Sequence, residues 1–333
     1  MRRPLPGRLG FQHLLARAHD LTLLRGLDSF PQLSVIIGSS TGLAPLIYFE
    51  GERMKFAGTD KYYLAPELEA IVNMAIVMEK PLLLTGEPGT GKTQLAFEIS
   101  RALGMDIEVL RAKSTIKGEE SCYNQDTVLR LNDARFGSGK TGRNVESFYD
   151  YVIWGPIGRA FRAEKRTVLL LDEIDKTESD VQDNLLDVLE ENQFVIRELN
   201  EVVQAEKAPI IIITSNAKRE LSDPFLRRCF CHHIAFPSKE EMVQIVGLHY
   251  PEIPKELLET SLKIFYELRA RGFEKPPATG ELLNWLGALQ HSGQMPESTE
   301  NVPFTGVLLK RAADIQSYRQ KGSAKSKSSS WSY

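Results

Sequence analysis

The sequence predicts an α/β protein in which a parallel sheet, covered by helices on both faces, is followed by a small all-helical domain. Three observations predict it. A glycine-rich run at 86–93 stands between a short apolar run and a helical pattern. Two further apolar runs, 167–171 and 209–214, flank a helical stretch and each leads into polar residues. After Pro237 the strand signals stop and three amphipathic helical patterns follow. Strand and helix in alternation build a parallel sheet.

Along the chain, residues 1–53 differ from the rest: they hold several arginines and no lysine, and Pro, Gly and Ser interrupt every apolar run. They read as an N-terminal extension that is disordered, packs as an arm, or is upstream sequence translated from a misassigned start. Met54 opens the stretch that reads as a folded domain. Residues 66–75 carry apolar side chains at helical spacing. The run 81–85 suits a buried parallel strand, and 93–103 a helix stopped by Gly104. Residues 107–112 fit another strand. The long irregular stretch 114–166, with a Gly/Ser/Lys loop at 137–142, reads as an insertion with helices near 127–135 and 158–166.

The runs 167–171 and 209–214 are buried strands, with a helix at 180–191 between them. Residues 194–204 alternate apolar and polar around Leu199-Asn200-Glu201, which predicts a hairpin. Helices follow at 238–249, 255–271 and 279–290. From about Gln320 the Lys/Ser-rich tail carries too little apolar surface to fold. The domain reading is therefore an extension at 1–53, an α/β domain at 54–236, a helical domain at 237–318 and a disordered tail at 319–333.

Composition sets bounds. The 333 residues are 42% hydrophobic and 26% charged, enough for two modest domains. A net charge of −3 argues against a partner held by bulk electrostatics, nucleic acid or an anionic membrane. The apolar stretch 33–49 is broken by Gly38, Ser39, Ser40, Gly42 and Pro45 and falls short of a membrane span. The N-terminus lacks the continuous apolar core of a secretory signal, and Asp20 and Asp28 disfavour a transit peptide. Three cysteines, Cys122, Cys229 and Cys231, make no disulfide framework and point to a reducing, cytoplasmic setting.

The strongest motif is Gly86-Glu87-Pro88-Gly89-Thr90-Gly91-Lys92-Thr93, which fits the P-loop pattern G-x-x-x-x-G-K-[ST]. Glycines let backbone N–H groups turn inward around phosphates, and the following helix adds partial positive charge. Lys92 would reach the β- and γ-phosphates and Thr93 would ligate Mg²⁺, so ATP and Mg²⁺ are the implied ligands. The run 167–171 ends in Asp172-Glu173. A carboxylate at that end of a parallel strand faces the same crevice. Asp172 could hold Mg²⁺, directly or through water, and Glu173 could take a proton from an attacking water. Taken alone, such a pair is more often a helix cap or a solvated end; the upstream P-loop favours function.

The strand 209–214 leads to Asn216, whose amide could orient that water; the bland reading is a turn asparagine. Arg227 and Arg228 follow a proline-started turn. They are either solvated surface or guanidinium groups for the transition-state charge of a neighbouring subunit's site.

In this order the motifs resemble the AAA+ ATPases, and within them the MoxR family. The P-loop, Leu171-Asp172-Glu173-Ile174-Asp175-Lys176, Ile213-Thr214-Ser215-Asn216 and Phe225-Leu226-Arg227-Arg228-Cys229 carry the likeness, which covers roughly 55–290. The resemblance implies a helix-two insertion, fitting 114–166, and a hairpin before the Asn strand, fitting 194–204. It implies that Asn216 is sensor 1 and that Arg227 and Arg228 are arginine-finger candidates. It further implies a hexameric ring, a partner with a von Willebrand factor A domain, and chaperone-like work on a protein client, in maturing complexes or inserting metal cofactors. One departure stands out: the stretch 275–285 has no arginine where such a lid carries sensor 2. Lys275 is the candidate substitute, though it lacks arginine's planar fork.

Other signals carry less. Cys229, Cys231 and His233 alternate along a would-be strand, but a fourth zinc ligand is missing and core cysteines are commoner. Arg111, Lys113 and Lys117 read as a solvated strand end. Two rival functions remain, a nucleotide-gated scaffold with little turnover and a motor acting on nucleic acid.

Overall fold

The computed structural model describes residues 55–114 and 118–328. The extension 1–53 lies outside the described residues. Five strands form one parallel sheet: β1 Leu82–Thr85, β2 Ile107–Arg111, β5 Val168–Asp172, β8 Ile210–Ser215 and β9 Phe230–His233, in the order β2-β5-β8-β1-β9. The middle strands are almost wholly buried, which is why their sequences are unbroken apolar runs. Register aligns Leu171 with Ile213 and Thr85 with Ser215. The C-terminal ends of β1, β5 and β8 therefore open at one edge, where β1 continues into Gly86, β5 into Glu173 and β8 into Asn216.

Helices α1 Pro66–Met78, α2 Lys92–Leu103 and α5 Ser179–Glu191 flank the sheet, with short α6 at Asp223–Arg228. The stretch before β5 folds as a two-stranded sheet, β3 Tyr123–Gln125 with β4 Val152–Trp154, plus α3 Thr127–Phe136 and α4 Pro156–Phe161. The sequence predicts the last of these at 158–166. The helix instead starts at Pro156, whose fixed φ suits a first turn. It stops before Arg166, which is drawn off to donate to the Ala208 and Ile76 carbonyls at 2.8 and 3.1 Å. Strands β6 Gln193–Ile196 and β7 Glu201–Gln204 pair antiparallel as a hairpin ahead of β8.

Beyond Pro237 the structure is helical: α7 Lys239–His249, α8 Lys255–Arg269, α9 Thr279–Ser292, α10 Thr305–Leu308 and α11 Ala312–Ser328. Ser238 opens α7 with a capping box to Glu241. This region has its own apolar cluster around Phe265, Trp285 and Leu289, separate from the cluster under the sheet around Leu169, Ile213 and Phe225. Trp285 is fully buried, and its indole N–H donates to the Pro303 carbonyl at 2.7 Å. Helix α11 runs into the stretch 319–333 that composition reads as unable to fold. Its first turns are anchored by buried Asp314 and Tyr318. Extending a nucleated helix is far easier than starting one, and low apolar content does not prevent it. Among the described residues no helix is long and apolar enough to cross a membrane.

Candidate functional site

The loop 86–91 leaves β1 at the open sheet edge and enters α2 at Lys92. Gly86, Gly89 and Gly91 all take positive φ, at 145°, 82° and 90°. At Gly86 a Cβ would also collide with the Ile234 carbonyl oxygen, so the turn requires glycine there. Lys92 is buried, and its Nζ donates to the carbonyls of Gly86 and Glu87 at 2.9 and 2.7 Å. Burial holds its pKa below the usual lysine value, and the charges of Asp175, Asp172, Glu173 and Glu87 offset only part of that effect. Its surroundings suit an ammonium aimed at a bound anion.

Strand order brings the carboxylates to this loop. Because β8 lies between β1 and β5, its Thr214 reaches across to Asp172. Asp172 Oδ1 accepts from Thr93 Oγ1 at 2.7 Å and from Thr214 Oγ1 at 2.8 Å. A hydroxyl that donates to a carboxylate keeps its lone pairs for a cation. Thr93 and Asp172 thus form a hard-oxygen pair that fits Mg²⁺, with the remaining ligands coming from phosphate and water, as is usual for this ion.

Glu173 sits beside this pair in the left-handed region, at φ 58°, a conformation that non-glycine residues hold only when their surroundings fix it. Its N–H donates to Thr214 Oγ1 at 2.9 Å. Its Oε1 accepts from Asn216 Nδ2 at 2.8 Å, and its Oε2 pairs with Lys176. The sequence-derived acid and amide therefore touch. Asn216 is placed in turn by buried Asp175, which accepts from the N–H groups of Asn216 and Lys218, each at 3.2 Å. Sequence reasoning gave Asp175, Thr214 and Lys176 no role, because each acts through a partner that only the fold supplies. Asp175→Ala is expected to cost about 2–3 kcal/mol of stability. By displacing Asn216 it should also slow turnover about 10- to 100-fold. Denaturant midpoints and turnover on one preparation check both.

The arginines lie elsewhere. Both are on α6, where Arg228 is tied to α5 through Asp187 at 2.6 Å and Glu190 at 3.1 Å. Arg227 is exposed and makes no ion pair among the described residues. Lys275 points to Glu281 at 3.8 Å rather than to the loop. Another arginine, Arg269 of α8, does reach the loop and pairs with Glu87 at 2.8 Å.

A cavity of about 790 Å³ adjoins the loop. Beyond Lys92, Thr93, Asp172 and Asn216 it is lined by Tyr62, Ile245 and Leu283, which give it an apolar end suited to a nucleobase. Burial, with the Glu98 charge second, holds the Tyr62 hydroxyl well above its usual pKa and so keeps it neutral. Nothing in the sequence marks Tyr62. Of the alternating cysteines, Cys229 is buried and Cys231 exposed. Among the described residues no group of three His, Cys, Asp or Glu is placed to hold a metal ion.

Residues 81–229 match the family described as AAA domain (dynein-related subfamily). The chaperone protein ClpB of Lactococcus lactis is 27% identical over 219 residues, covering 60% of this chain and 23% of ClpB. The peroxisomal Lon protease homolog 2 of Arabidopsis thaliana is 28% identical over 285 residues, covering 75% of this chain and 29% of the relative. The mouse von Willebrand factor A domain-containing protein 8 is 24% identical over 214 residues, covering 58% and 11%. The chain thus spans less than a third of the length of each of these relatives.

Proposed function

We propose that this chain, whose residues 81–229 carry an AAA domain of the dynein-related subfamily, is a MoxR-type ATPase that couples Mg-ATP hydrolysis to chaperone-like remodelling of a protein client. One observation carries the reading: at a single sheet edge Lys92, the Thr93–Asp172 pair and the Glu173–Asn216 pair surround one cavity. The motif wording and its order add the MoxR assignment.

The chemistry follows from the positions. The loop amides and Lys92 bind the β- and γ-phosphates, and Thr93 with Asp172 would hold Mg²⁺, which would supply charge neutralisation on the phosphates. Glu173 takes a proton from the attacking water, and the Asn216 amide fixes where that water lies. Tyr62, Ile245 and Leu283 hold the base. The cavity lies against both the sheet edge and α9, so turnover would change the angle between core and helical lid and pass motion to a client.

A ring, hexameric by family resemblance, completes the site. Arg227 is the finger offered to the neighbouring subunit, since Arg228 is already held by Asp187 and Glu190 of its own chain. The similarity to a von Willebrand factor A domain-containing protein supports a partner of that kind, and the sparse, odd-numbered cysteines support a reducing, cytoplasmic setting.

The test is turnover against protein concentration with two variants. Specific activity is expected to rise with assembly. Arg227→Ala should lower it about a thousandfold while leaving ATP affinity unchanged. Arg228→Ala should mainly lower the denaturation midpoint slightly and leave turnover near wild type. Turnover that is low at every concentration, and the same in both variants, would favour a nucleotide-gated scaffold instead. Stimulation by DNA or RNA would favour a nucleic-acid motor.

A further inference from the structure

We propose that Glu87 and Arg269 are positioning residues that couple the helical lid to Lys92, an inference that rests on the nucleotide reading of the phosphate loop. Arg269 is the last residue of α8, and its side chain is only 14% exposed. Its guanidinium lies 3.4 Å from the centroid of the Phe236 ring. Nη1 donates to the Pro277 carbonyl at 2.5 Å, and Nη2 to Glu87 Oε2 at 2.8 Å. Phe236 lies in the connection from β9 to α7, and Pro277 in the turn before α9. One cation therefore gathers the hinge, two parts of the lid and the phosphate loop.

Glu87 faces both ways. Its side chain takes the lid arginine, while its carbonyl accepts from Lys92 Nζ at 2.7 Å and from Thr90 Oγ1 at 3.0 Å. A displacement of the lid passes through this one residue to the amine that would bind phosphate. A second contact runs alongside. Gly89 packs so closely on the turn before α9 that a Cβ there would stand 2.5 Å from that of Ala278. Electrostatics give the pair a reason to exist. A carboxylate in a polyanion-binding loop opposes its ligand unless a cation offsets it, and Arg269 is placed to do so.

Breaking the pair frees the lid and speeds nucleotide release. Two measurements on the 333-residue chain test this. Without nucleotide, Glu87→Gln is expected to speed amide hydrogen exchange about fivefold in peptides covering 86–95 and 274–283. Arg269→Gln should do at least as much, since it also gives up Phe236 and Pro277. The double variant should exchange no faster than Arg269→Gln alone. With ATP, Glu87→Gln should raise KM about fivefold and leave kcat within about twofold, and Glu87→Asp should recover most of the loss. Wild-type exchange in Glu87→Gln, or additive effects in the double variant, overturns the latch. A wild-type chain that does not bind ATP overturns the nucleotide reading on its own, whatever the exchange shows.

Discussion

Lys92→Ala is expected to abolish nucleotide binding. The wild-type amine is buried at the start of α2 and already held by two loop carbonyls, so little conformational freedom remains to be lost when a phosphate arrives. A unit charge about 4 Å from a phosphate oxygen contributes roughly 4 kcal/mol in a partly screened site, or about a thousandfold in affinity. Titration calorimetry with Mg-ATP should therefore take the variant beyond measurable binding. A denaturation curve close to wild type would show that the fold survives, because what the substitution removes is mostly a set of contacts to loop carbonyls. An affinity within threefold of wild type would leave the loop without its assigned role.

Glu173→Gln separates binding from chemistry. Glutamine keeps an oxygen that can accept from Asn216 Nδ2, so the arrangement around Asp172 and Asn216 should persist. It cannot take a proton from water. General-base catalysis contributes about 10²- to 10⁴-fold, and a loss in that range is expected in kcat, with ATP affinity within about threefold of wild type. The left-handed backbone of residue 173 is set by its N–H bond to Thr214 and does not depend on the side-chain charge. Normal turnover in this variant would remove Glu173 from the mechanism.

The parts of this site that were legible in the sequence have local causes. Strands β1, β5 and β8 read as strands because a segment buried on both faces is mostly apolar, and Glu87, Asp172 and Asn216 mark where full burial ends. The phosphate loop read as such because close approach of backbone to phosphate demands its glycines. What escaped depends on partners distant in the chain. Glu87 and Arg269 are 182 positions apart, and Asn216 and Asp175 are 41. Thr214 bridges to Asp172 only because β8 falls between β1 and β5, an order that no local pattern encodes. Edge strand β9, Phe-Cys-His-His, pairs among the described residues with β1 alone and lacks the apolar run that betrays a central strand. In the tail, composition that signals disorder is traversed by helix α11 as far as Ser328, propagating from a packed start.

The central claim is that a triphosphate and its cation lie between the loop 86–93 and Asp172. A crystal of the Glu173→Gln chain grown with Mn²⁺ and ATP tests it most directly, since manganese scatters anomalously and prefers the same oxygen ligands as magnesium. The expected result is one anomalous peak about 2.1 Å from Thr93 Oγ1, bridged to Asp172 directly or by water, with the γ-phosphate against Lys92 Nζ. Nucleotide density elsewhere, or a metal peak that avoids both Thr93 and Asp172, would contradict it.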